Sequence, residues 1–140
     1  MYKRDYLVKQ FEEFGKVMAI LLGLKRDGNY SELSDLINES VKKYTSTEIN
    51  FVETIDNEQL VSTLVTEKKL NDEQLKMLAD LLFEKADYYS RIQQNLSLDV
   101  KAINCYKKSH LIYLFLKDNA TLTYSLDMHY KLEILGKMKL

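Results

Sequence analysis

No proline interrupts this chain of 140 residues, and glycine occurs only four times. In a helix interior proline costs about 3 kcal/mol and glycine about 1 kcal/mol relative to alanine. A chain that nearly avoids both is free to be helical almost throughout. An all-β fold needs frequent turns and the residues that make them. The expected fold class is therefore all-α, and apolar residues spaced three and four apart locate the helices.

Leu7, Phe11, Phe14, Met18 and Leu21 recur at spacings of 4, 3, 4 and 3, which predicts a first helix from about Tyr2 to Leu24. Gly15 interrupts it and suits a close approach by another helix. Asp27-Gly28-Asn29 reads as a turn, with Gly28 placed to end the helix. A second helix is expected over about Ser31–Tyr44, burying Leu33, Ile37, Val41 and Tyr44, with Asn29 and Glu32 spaced as a capping box. Residues 45–55 fit either a short helix or an extended segment packed across the hairpin. A short helix follows over about Asn57–Thr66, with Asp56 at its N-cap. Asn71 or Asp72 opens a long helix ending near Gln94, whose inward row is Leu75, Leu78, Leu82, Ala86 and Tyr89. Two more are expected over about Leu98–Leu116 and Thr121–Lys137. The last carries one apolar row of Leu122, Leu126, Tyr130 and Ile134 and a second of Met128, Leu132 and Leu135. Two rows exceed what one hairpin covers, so either a partner or the 45–70 segment is expected to cover the excess. The whole reads as a single domain of five to six helices: a hairpin over 2–44, an irregular insertion over 45–70, and a hairpin plus terminal helix over 71–138.

Charge narrows the partners. Twenty basic against twenty-one acidic residues leave a net charge of −1 and no basic stripe, which disfavours nucleic acid. The longest wholly apolar runs, Val17–Leu22 and Leu111–Leu116, fall far short of the ~20 residues of a membrane span. The single cysteine, Cys105, cannot make an internal disulfide, which fits a reducing, cytoplasmic setting.

Candidate chemistry is sparse. His110 and His129, the only histidines, have no ligand-spaced neighbour, since Cys105 and Asp127 fall on other helix faces; neither a metal nor a cofactor is expected. Cys105 reads as a small buried hydrophobe. The carboxylate pairs Glu12-Glu13, Asp72-Glu73 and Glu84 with Asp87 read as solvated faces or helix starts. No Gly-rich phosphate loop occurs, and no catalytic residue is assigned. The ten tyrosines supply apolar area with a polar tip, suited to helix packing and to binding surfaces.

Two resemblances add to this reading. Gly28-Asn29-Tyr30, Tyr89-Ser90, Ala102, Tyr106 and Ser109 resemble degenerate tetratricopeptide-type hairpins, with Ser90 and Ala102 as small residues at helix crossings. Arg4-Asp5-Tyr6, Gln10-Phe11, Phe14-Gly15, Leu22-Gly23-Leu24-Lys25 and Thr123-Tyr124-Ser125 resemble an uncharacterised family of small bacterial all-helical proteins, which carries no function. The tetratricopeptide resemblance implies a groove lined by Glu84, Asp87, Arg91 and Gln94 that holds a protein or peptide partner. A non-catalytic interaction or scaffold module, whose partner is another protein or a second copy of itself, is the expectation. The alternative is a small-molecule binder or an enzyme with a pocket between the insertion and the hairpins.

Overall fold

The computed structural model describes residues 2–92, 96–119, 125–138 and 140. Among them the chain is all helical, with seven helices: α1 (Tyr2–Asp27), α2 (Tyr30–Thr45), α3 (Ile49–Thr54), α4 (Asn57–Thr66), α5 (Asp72–Arg91), α6 (Leu96–Asn119) and α7 (Leu126–Lys137). The helix beyond the expected six is α3, which resolves the 45–55 segment as helical.

Local chemistry sets most boundaries. Gly28 adopts φ +75°, and the Gly28 and Asn29 amides return to the Lys25 and Leu24 carbonyls at 3.2 and 2.9 Å. This is a Schellman turn, and it joins α1 to α2 within three residues. Asn29 makes no side-chain cap, so the expected capping box is absent there. Asp56 does occupy the N-cap of α4, also without a side-chain bond. The box is complete instead at α5, where Asn71 Oδ1 accepts from the Gln74 amide at 2.8 Å and Gln74 Oε1 accepts from the Asn71 amide. Gln74 Nε2 also donates to the Tyr44 carbonyl, tying the end of α2 to the start of α5.

α5 is the axis of the molecule. It packs along α6 and also against α2 and α1, and every residue from Met77 to Ala86 is buried. A helix surrounded on all sides needs partners for its polar residues as well as its apolar ones. α6 runs antiparallel to it: Ser109 Oγ donates to the Ala79 carbonyl near one end, and the Tyr106 and Phe83 rings meet edge to face nearer the other. Ala79, Ala86 and Ala102 supply small buried side chains along these two helices. Ser90, in the last turn of α5, is exposed, yet its side chain is in hydrogen-bonding contact with the Tyr106 hydroxyl of α6.

The insertion docks on α6. Lys108, fully buried, donates to the Ile55 carbonyl and to Asn57 Oδ1, and Asn104 Nδ2 donates to the Glu53 carbonyl. It therefore leaves α7 uncovered. α7 packs on α6 through Met128 and Leu135, with Leu132 half-buried, while Leu126, Tyr130 and Ile134 stand exposed. Leu122 lies outside the described residues. Gly15 meets no neighbour either: a Cβ added there would touch nothing within 4 Å.

Candidate functional site

Asp80, Glu84 and Asp87 form an acidic stripe along one side of α5, at spacings of 4 and 3. The sequence pattern suggests a solvated or groove-lining face. The structure instead buries Glu84 to 3% exposure and half-buries Asp87. Lys25, from the last turn of α1, reaches both carboxylates at 2.8 and 2.9 Å, and the Tyr106 hydroxyl donates to Asp87. One step along the helix, Asp80 accepts from Lys76 at 2.8 Å, from Lys131 of α7 at 3.2 Å and from the Tyr113 hydroxyl. Lys76 and Lys131 also share Asp127, at 3.2 and 3.8 Å. The stripe therefore clamps α1 and α7 to α5. Arg91, the third residue of the predicted partner-binding set, is exposed; Gln94 lies outside the described residues. Of the three that are described, Glu84 is enclosed and Arg91 is exposed, so these do not share one open row.

The electrostatics follow from this enclosure. Burial alone would lower the Lys25 and Lys76 ammonium groups, but the adjacent carboxylates outweigh it and hold both above the ordinary lysine value. Burial pushes the Tyr106 and Tyr113 hydroxyls upward, and Asp87 and Asp80 reinforce the shift. Both tyrosines stay protonated and act as donors. Carboxylates held by lysines and tyrosines in this way are committed to structure, because their lone pairs already accept charge-assisted bonds.

On the other side of α5, Lys85 is buried without a carboxylate partner in bonding distance among the described residues. It donates to Ser34 Oγ and Asn38 Oδ1 at 2.8 and 2.9 Å and sits over the Tyr88 and Tyr89 rings. Burial lowers its pKa. Nearby, Tyr89 and Cys105 both approach the Glu53 carboxylate, the hydroxyl at 2.8 Å and the sulfur at 3.6 Å. Burial and the Glu53 charge push the Cys105 thiol up, which makes it inert. Burial likewise lowers His110. Among the described residues, no three His, Cys, Asp or Glu are placed to hold a metal ion.

The open feature of this surface is a cleft between α1 and α7, floored by α5. It comprises two adjoining depressions of about 470 and 430 Å³. Phe11, Phe14, Met18 and Leu22 line the α1 wall, Met77 and Met128 the deeper end, and the Lys76–Asp80–Lys131 ion pairs the floor. Val8, Phe11, Gly15, Met18 and Leu22 follow one another at spacings of 3, 4, 3 and 4. That is a seam of the kind a second helix packs against. Its signal was present in the sequence but overlapped the inward row, because Phe11 and Met18 belong to both. A separate polar depression of about 480 Å³ lies where residues 53–58 meet Asn104.

No family model matches the chain, and neither a curated protein nor a solved structure does so. Among the described residues no helix is long and apolar enough to cross a membrane.

Proposed function

We propose that this protein is a non-catalytic protein–protein interaction module whose α1–α7 cleft docks an amphipathic helix. The observation that carries the reading is the α1 seam. Val8, Phe11 and Leu22 are exposed at heptad-like spacing, with Gly15 bare between them. Glycine inside a helix costs about 1 kcal/mol against alanine, and no contact among the described residues uses the space it leaves. A helix laid in the cleft would use it, by approaching the α1 backbone closely. Methionines at the deeper end suit the binding of an irregular apolar face, since their side chains adapt. The ion-paired floor supplies a rigid base for such a groove. The tetratricopeptide-like reading of the hairpins belongs to this proposal, as helical hairpins commonly present binding surfaces in place of chemistry.

The test is site-specific photo-crosslinking in the host cell. A photoreactive side chain at Leu22 is expected to give a discrete protein adduct, and one at Glu39, exposed on α2, to give none. Equal labelling at both positions, or no adduct at Leu22, overturns the reading.

A second reading is favoured by the polar depression against Asn104. There a small polar ligand would bind between the insertion and α6. Saturable stabilisation by a polar metabolite that Asn104→Leu abolishes, with the Leu22 adduct absent, would select it over the first.

A further inference from the structure

Two unsatisfied apolar faces stand on this one chain. The first is the α1 seam, with Phe11 at 41% exposure and Leu22 at 51%. The second is the outward row of α7, where Leu126, Tyr130 and Ile134 are 67%, 54% and 47% exposed. We infer that the occupant of the cleft is α7 of a second copy of this chain, in a two-fold dimer that seats each α7 row on the other chain's α1 seam. This inference rests on the helix-docking reading of the cleft and names its partner.

Length, shape and area support it. The α7 row from Leu126 to Ile134 covers roughly 12 Å of helix, and the seam from Phe11 to Leu22 covers roughly 16 Å, so the row fits within the seam. The largest side chain of the row, Tyr130, is its centre. The smallest position of the seam, Gly15, lies near the middle of the seam. A knob at one and a hollow at the other is the pairing by which helices interlock. The chain's own α7 cannot make this contact, because Met128 and Leu135 anchor its opposite side in the core. A two-fold arrangement uses both faces twice, which closes the assembly. Val8, Phe11, Leu22, Leu126, Tyr130 and Ile134 are each about half exposed. Side chains of this size present on the order of 100 Å² apiece in that state. Covering all of them on both chains removes roughly 1,200 Å², the lower edge of the range for specific interfaces. The net charge of −1 gives two copies little reason to repel each other.

The experiment is sedimentation equilibrium of the full chain across a hundredfold concentration range. The mass is expected to rise from 16.5 kDa toward twice that value. Gly15→Trp and Tyr130→Asp, on the two faces, are each expected to weaken association at least tenfold. Neither touches the protomer's core, so helicity by circular dichroism is expected to hold. In a Cys105→Ala background, a Gly15→Cys chain mixed with a Tyr130→Cys chain is expected to give a cross-linked heterodimer with a short bis-maleimide, whereas neither gives a linked pair alone. A monomer at every concentration, or a dimer indifferent to both substitutions, overturns the inference. If the chain is monomeric but the Leu22 adduct still forms with another protein and is lost in Gly15→Trp, only the occupant is wrong. If the adduct is also missing, the docking reading fails with it.

Discussion

Lys25 Nζ lies 2.8 Å from the Glu84 carboxylate, joining the last turn of α1 to the middle of α5 across fifty-nine residues of sequence. Glu84 is buried on a helix enclosed from several sides, and Lys25 supplies the charge that compensates it there. Removing one member of a buried pair costs about 3–5 kcal/mol, because the other is left uncompensated. Lys25→Met is therefore expected to lower the unfolding free energy by about 3 kcal/mol, as read from urea denaturation. Lys25→Met combined with Glu84→Leu is expected to recover most of that loss. The pH dependence has a fixed sign. The Lys25 pKa is raised by folding, so its contribution is full below the ordinary lysine value of 10.5 and declines as pH rises through the higher folded value.

Lys85, also on α5, is expected to behave in the opposite way. It is buried among Ser34, Asn38 and two tyrosine rings, and burial lowers its pKa. Holding the ammonium in that site opposes folding at neutral pH. Between the lowered folded value and 10.5 the unfolded chain binds more protons than the folded one, so stability rises with pH in that window. Replacing a buried charge with an apolar group of similar volume is often neutral or stabilising. Lys85→Met is expected to raise the unfolding free energy by about 1 kcal/mol at pH 7, with the advantage shrinking by pH 10. Denaturation midpoints at the two pH values measure this directly.

Sequence pattern reaches different depths in different helices. The α2 row of Leu33, Ile37, Val41 and Tyr44 is buried as its spacing predicts, and the α5 start at Asn71 follows from its capping residues. Both depend on residues within one or two turns. Asp80, Glu84 and Lys85 were not legible as buried, because what encloses them comes from α1, α2 and α7, and an isolated helical wheel holds no trace of those neighbours. Ser90 does meet α6, through Tyr106, but at the edge of the contact, where it stays exposed while Ala102 is buried. The uncovered α7 row was visible as an excess of apolar positions. Which element would cover it depended on the insertion docking on α6, set by Lys108 and Asn104 bonding to backbone carbonyls of residues 53–55.

Ala102 and Ser90 separate a buried position between helices from an exposed one. Ala102 is 3% exposed on α6, where an arginine would have to force its long, charged side chain into close-packed core. Overpacking costs about 1–3 kcal/mol and an unpaired buried charge several more, which together approach the whole stability of a small domain. Ala102→Arg is expected to abolish the cooperative thermal transition seen by circular dichroism. Ser90→Arg, on the exposed side of α5, is expected to shift the midpoint by no more than a few degrees.

Cys105 reports on the same core through its reactivity. Its sulfur is fully buried, and burial together with the Glu53 charge disfavours the thiolate, the form that reacts. At pH 8 a disulfide reagent such as dithionitrobenzoate is expected to leave the folded protein unlabelled over minutes and to modify one thiol per chain at once in denaturing urea. Rapid labelling without denaturant would show that the α3–α6 junction opens far more readily than its packing implies.

Gly15 carries the sharpest separation between fold and interaction. It lies inside α1, more than two turns from either end, where alanine is favoured by about 1 kcal/mol. Among the described residues a Cβ there meets nothing within 4 Å, so no clash with them offsets the gain. Gly15→Ala is expected to raise the unfolding free energy by about 1 kcal/mol, measured on monomeric protein at low concentration. A single methyl group at the closest point of helix approach is also expected to weaken docking into the cleft, though less than tryptophan does. Stability and association then move in opposite directions in one variant. A fall in monomer stability would mean that α1 is strained at this position and that glycine is retained for its backbone, not for the space beside it.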